Sequence, residues 1–191
     1  MKQLFFCVII TVFLASSCAT HGPFYFGHPY GAPVPYGEGR HPGIDFDISN
    51  GTPIIACSDG KVFYIGEPDA KERYGGGIFV GLSHGEYFRS LYGHLTRIFV
   101  EKDQSLKRGQ LIGLSGASND GYQHLHFGIC KIRGNCKNYS ETYDPNKFWL
   151  GGKAQCFDPN KDYSNYSQKD ITLPVACGEY AKELVARTKK R

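Results

Sequence analysis

Methionine and tryptophan are nearly missing from this 191-residue chain, which holds one of each. After the first fifteen residues there is no long apolar run, and the charges nearly cancel to a net +4. That balance is too small to argue for nucleic acid, though it is compatible with an anionic envelope polymer. No two cysteines stand two to four residues apart, which excludes a zinc finger. There is no His-Glu-x-x-His, so the helical zinc proteases are excluded, and no Gly-x-Ser-x-Gly elbow to support a serine hydrolase. Leu114-Ser-Gly116 reads more simply as a turn. What is present rules out a disordered chain: hydrophobic residues make up 41% and charged residues 21%. Glycine (24), proline (10), tyrosine (13) and phenylalanine (13) are abundant. That composition argues against a helical bundle and suits short strands joined by tight turns.

The N-terminus is set apart from the fold. Met1-Lys2-Gln3 is a short basic start, and Leu4 to Ala15 is an apolar stretch. It falls short of the roughly 20 apolar residues of a membrane span but has the length of a signal-peptide core. Ala15-Ser16-Ser17-Cys18 follows and resembles the lipobox of bacterial lipoproteins. Residues 1–17 are therefore expected to be a lipoprotein-type signal peptide. Cys18 becomes the acylated first residue of an exported, membrane-anchored chain in the cell envelope or periplasm. Cleavage after Ala19, with loss of Cys18, is the alternative. No transmembrane helix is expected in the mature chain.

Export bears on the seven cysteines. With Cys7 in the signal and Cys18 lipidated, five remain in a compartment that permits disulfides. A disulfide could close the basic loop between Cys130 and Cys136, and Cys156 and Cys177 bracket a polar C-terminal loop. Cys57, inside the apolar stretch Pro53-Ile-Ile-Ala-Cys57, reads as a small buried hydrophobe. Residues 18–40 form a leader: His21 to Arg40 contains five glycines, four prolines and five aromatics. It cannot be a helix, and it is too aromatic for a free linker. An irregular segment lying on the domain is expected, with His21 and His28 as solvent or packing histidines.

The region 41–150 reads as one all-β, mostly antiparallel domain of short strands and loops. Strands are expected at 44–48, 53–57, 61–65, 78–83, 88–92, 110–114 and 125–129, bounded by turn signals such as Asn50-Gly51, Asp59-Gly60 and Gly75-Gly76-Gly77. In the extension 151–191, Cys177, Tyr180, Ala181, Leu184 and Val185 recur at helical spacing, which predicts a C-terminal helix.

The histidines carry the chemistry. In a strand, residues two apart share a face, so His124 and His126 project together while Leu125 and Phe127 face the core. His41 precedes Asp45 across a Pro-Gly bend that can bring both side chains to one point. His, His and Asp are suitable zinc ligands, and three protein ligands leave the open position of a catalytic site.

At these residues the sequence resembles the lysostaphin-type (LytM-like) zinc metallopeptidases, which cleave peptide bonds in bacterial peptidoglycan. The resemblance runs from about His41 to Phe148. It is carried by His41-Pro-Gly-Ile-Asp45-Phe, Gly51-Thr-Pro-Ile-Ile-Ala56, Asp59-Gly-Lys-Val62, Ser83-His-Gly85, Leu91-Tyr-Gly-His94-Leu, Lys107-Arg-Gly-Gln-Leu-Ile-Gly113, Ser115-Gly-Ala-Ser118 and His124-Leu-His-Phe127. It implies one zinc per chain on His41, Asp45 and His126. It assigns catalysis to His94 and His124, a structural role to His84, and a peptidoglycan peptide as substrate. How general base and oxyanion donor divide between His94 and His124 is left open. Where the family usually has Gly-Pro before His-x-His, this chain has Tyr122-Gln123, bordering the expected substrate groove. Gly128 replaces an acidic residue that often follows. The rival reading is a non-catalytic activator of a cell-wall amidase; retention of all five site residues favours the enzyme. A cell-wall binding module on a dead scaffold would need a separate binding feature, which only the aromatic leader could supply.

Overall fold

A computed structural model describes residues 27–66, 71 and 73–189. The signal segment and Cys18 lie outside the described residues. Nine strands and one α-helix are present among them: β1 (Ile44–Asp47), β2 (Pro53–Ile55), β3 (Gly60–Gly66), β4 (Ile78–Ser83), β5 (Arg89–Ile98), β6 (Ser105–Leu106), β7 (Leu111–Ala117), β8 (Gln123–Cys130), β9 (Thr142–Tyr143) and α1 (Gly178–Thr188). All strand pairings are antiparallel. The expected class, an all-β antiparallel sheet with a C-terminal helix, is the one observed.

Strand β8 is the hub. One edge pairs with β1; the other pairs with β7 at Gln123 and His124, then with β5 from His126 to Cys130. Its residues alternate as their chemistry requires: Leu125, Phe127 and Ile129 are fully buried in the main core with Phe46, Tyr92 and Ile112. His124 and His126 take the other face. Strand β2 stops at Ile55, two residues short of expectation, because the chain finds partners elsewhere: the Ile55 amide donates to Pro174 and the Ala56 amide to Gln110. Strands β6 and β9 and three 3₁₀ turns at 139–141, 145–147 and 150–152 were not expected. Segments of two or three residues are too short to leave a periodic signature.

The C-terminal extension is built into this core. Ile171, Leu173 and Val175 are buried with it, Val175 bridges to Ile54, and the Thr172 amide donates to Cys57. Disulfides join Cys130 to Cys136 and Cys156 to Cys177. Cys57 is free and buried, and burial pushes its thiol up to about 11, so it behaves as the small hydrophobe expected. Among the described residues no helix is long and apolar enough to cross a membrane.

His84 takes a structural position. It is fully buried, with Nδ1 2.8 Å from the Asp59 carbonyl and Nε2 2.7 Å from Ser90 Oγ. Burial pushes its pKa down to about 4. The unfolded chain therefore binds a proton on this ring that the folded chain refuses. The contribution to stability is complete above the unfolded pKa of about 6.5 and is lost as pH falls towards 4, at up to about 1.4 kcal/mol per pH unit. Unfolding free energy of zinc-free protein, measured by urea titration between those pH values, is expected to show a shallower slope in His84→Gln than in wild type.

Candidate metal centre

Three elements converge on the histidine face of β8. In the β1–β8 ladder, Asp45 pairs with His126 and Asp47 with His124, so both carboxylates stand beside the histidines. His41 arrives through Pro42-Gly43, which lies flat on β8: a Cβ on Gly43 would stand 2.5 Å from the Phe127 carbonyl oxygen and 2.8 Å from His126 Cε1. Glycine permits that approach, and with it the bend anticipated from Pro-Gly.

His41 Nε2 lies 3.0 Å from His126 Nδ1 and 3.2 Å from Asp45 Oδ1, and His126 Nδ1 lies 3.0 Å from Asp45 Oδ1. These three residues are the one group among the described residues whose donor atoms converge as a metal requires. Donors about 2.0 Å from a tetrahedral zinc stand roughly 3.3 Å from one another, so this triangle is close to one face of such a shell. The protonation states also fit. His41 Nδ1 faces the Pro29 carbonyl at 3.2 Å. A carbonyl can only accept, so the ring proton sits there and Nε2 keeps its lone pair. Burial alone would raise the Asp45 carboxyl, but the His126 and His41 imidazoles beside it overcome this and hold the group well below the usual carboxylate range. Burial keeps His126 neutral by lowering its pKa. An anionic carboxylate, a neutral His126 and the His41 Nε2 turned away from its Nδ1 partner suit zinc.

His94 comes from β5, by a route alternation does not foresee. Tyr92 pairs with Phe127 on the core face and Gly93 with His126, so a regular strand would turn His94 into the core. Instead Val80 pairs with Tyr92 and Ile78 with Leu95, three steps on β5 against two on β4. That extra residue is a β-bulge, and His94 adopts φ +59° within it. Leu95 regains the core while His94 turns to the face that carries His124 and His126, its ring 4.4 Å from that of His124 and 6.2 Å from that of His126. A non-glycine residue held in this region costs on the order of 1–3 kcal/mol, and such outliers gather at functional sites. The glycine run 75–77 supports it: Gly76 accepts from His94 Nδ1 at 2.9 Å, and a Cβ on Gly77 would stand 2.8 Å from the His94 backbone. Gly77 also has φ +67°. Gly77→Ala is expected to lose roughly 1–3 kcal/mol of stability through strain and displacement of the bulge, measured by chemical denaturation. Burial, reinforced by His124 and His126, brings the His94 pKa down to about 3, and burial lowers that of His124. His124 Nδ1 lies 2.9 Å from the Tyr122 carbonyl, so it too carries its proton on Nδ1 and leaves Nε2 free, 3.7 Å from Asp45 Oδ1.

All five side chains are buried, and four of them, His94, His124, His126 and Asp45, line a cleft of about 390 Å³. The leader forms part of its wall. It runs beside the outer edge of β1, with the Gly27 amide donating to Asp45 and the Asp45 amide to His28. Its Pro33-to-Gly37 stretch borders the cleft, where the Tyr36 ring lies 4.9 Å from that of Tyr74, tilted by 35°. His28 is half exposed, with Nδ1 3.7 Å from Asp45 Oδ2 and its ring edge-on to those of His41 and Tyr122. Sequence reading gave it no place at this centre. The density of aromatics in the leader was the available signal, but not its target.

A sequence profile for peptidase family M23 matches residues 39–141, more than half of the chain. The chain belongs to peptidase family M23. Among curated relatives, the glycyl-glycine endopeptidase ALE-1 of Staphylococcus capitis is 41% identical over 107 residues, covering 53% of this chain and 28% of the relative. The murein hydrolase activator NlpD of Escherichia coli is 37% identical over 92 residues, covering 48% of this chain and 23% of the relative. This M23 chain therefore spans less than a third of the length of either protein. The catalytic domain of lysostaphin from Staphylococcus simulans superposes with a TM-score of 0.57 at 34% identity, covering 65% of this chain and 91% of that domain.

Proposed function

We propose that this M23 chain is an exported, lipid-anchored zinc endopeptidase that hydrolyses peptide bonds in bacterial peptidoglycan, in stem peptides or cross-bridges. The observation that carries the reading is the donor triangle of His41, Asp45 and His126 with His94 and His124 beside it in one cleft. Zinc held by the three ligands would supply Lewis acidity towards a scissile carbonyl. The remaining work falls to the chain. Both His94 and His124 carry their proton on Nδ1, tied to a backbone carbonyl, and present a bare Nε2. Either can accept the proton of an attacking water and, once protonated, donate to the oxyanion or the departing amine. The leader and the 73–75 loop narrow access from the side and would select an extended peptide.

The activator role in the name of the Escherichia coli relative is disfavoured by the complete donor set. Digestion of purified peptidoglycan with zinc-loaded protein, followed by mass spectrometry, is expected to release fragments with new peptide termini. An intact polymer under stoichiometric zinc would reject the enzyme. For the anchor, wild-type protein is expected to partition with membranes and carry lipid on Cys18, and Cys18→Ser to release it or trap the precursor. A soluble wild-type protein beginning after Ala19 would leave the enzyme without an anchor.

A further inference from the structure

We infer that Tyr122 is a positioning residue that fixes the plane of the His124 imidazole; the inference rests on the reaction proposed above. The Tyr122 ring stacks on that of His124, with centroids 4.4 Å apart and planes inclined by 23°. The carbonyl of the same residue accepts from His124 Nδ1 at 2.9 Å. Its phenol hydroxyl is hydrogen-bonded to Asp47 Oδ1, on the β1 residue that pairs with His124. Tyr122 is therefore anchored to the strand pair that presents the histidine, and grips that histidine twice.

The turn before β8 is organised to hold it there. The Ser118 amide donates to the Tyr122 carbonyl at 3.1 Å, the Gly121 amide to Ser118 at 2.9 Å, and the Tyr122 amide reaches Asp120 Oδ1 at 3.3 Å. On the catalytic side, one hydrogen bond at Nδ1 sets a direction but leaves the ring free to swing about it. A stacked aromatic removes that freedom. Catalysis is sensitive to such freedom, because a base must point along the line of proton transfer.

Tyr122 borders the cleft, which invites a different role as substrate wall. However, its hydroxyl is engaged by Asp47 and a ring face by His124, so its bonding capacity is turned inward. Glycine, expected hereabouts from the family resemblance, has no ring with which to do this.

The test uses zinc-loaded protein, Tyr122→Ala, Tyr122→Leu and Tyr122→Phe. Carbon-13 relaxation at His124 Cε1 is expected to report a rigid ring in wild type and in Tyr122→Phe. In Tyr122→Ala and Tyr122→Leu the ring is expected to gain mobility while the Nδ1–H tautomer, held by the backbone carbonyl, and the zinc stoichiometry stay unchanged. On a soluble peptide substrate, the Ala and Leu variants should lose about tenfold in kcat at nearly constant KM, while Phe stays within about threefold of wild type. The inference is overturned if Ala and Leu keep the wild-type ring rigidity, if the loss falls on KM alone, or if Phe behaves like Leu. Leucine keeps bulk without a ring, so it decides the matter should Ala fail to fold. Absence of hydrolysis by wild type would reject the proposed reaction, whereas the NMR relaxation would still decide the positioning.

Discussion

His126→Ala is expected to lose stoichiometric zinc and, with it, hydrolysis, while the β-sheet survives. The side chain projects from the face of β8 opposite Leu125, Phe127 and Ile129, so its removal leaves the apolar core intact. What it removes is one corner of the donor triangle, 3.0 Å from each of the other two donors. Groups that merely support ligands cost 10–100-fold in metal affinity when removed, so loss of a ligand itself should exceed about 100-fold. Elemental analysis after desalting reads this directly. Thermal melting supplies an independent reading: zinc held by the folded triangle should raise Tm in wild type and not in the variant. Full zinc retention by His126→Ala would mean that the ligands lie elsewhere.

His94→Ala is expected to separate metal from chemistry. His94 takes no part in the donor triangle; its Nδ1 is tied to Gly76 and its ring lies 6.2 Å from that of His126. The variant should therefore keep one zinc yet lose about 10²–10⁴-fold in rate, the scale for removing a positioned acid or base. Single-turnover measurement on a soluble peptide checks this, with zinc content determined on the same sample. Wild-type turnover would return His94 to a packing role.

The two residues differ in how far sequence alone could place them. His124 and His126 obey the two-residue period of a strand, and the β1 register then delivers Asp45 to His126 without further information. His94 breaks that period: the expected strand ended at Tyr92, because a residue at φ +59° interrupts the alternation that marks a strand. The motif Leu91-Tyr-Gly-His94 pointed to function only through family resemblance. The glycine run 75–77 was legible as a turn, but its role beneath the bulge depends on contact across β4 and β5. Likewise, no local pattern shows that residues 171–176 join the core or that His28 reaches Asp45. Those contacts span more than 100 residues in one case and a chain reversal in the other, and only the folded packing brings them together.

For the anchored enzyme proposed above, the leader's attachment to β1 would set how deep into the wall it could work. From Gly27 onward the chain is committed to the domain, so it cannot pay out as rope. With a lipid on Cys18, nine residues, 18–26, join anchor to folded body, at most about 30 Å even at full stretch. If the proposed anchor and activity hold, so short a reach would confine cleavage to the peptidoglycan layer nearest the membrane and leave outer strands untouched. Lengthening the chain between Cys18 and Gly27 with a flexible insert should move the cut zone outward without altering hydrolysis of a dissolved peptide.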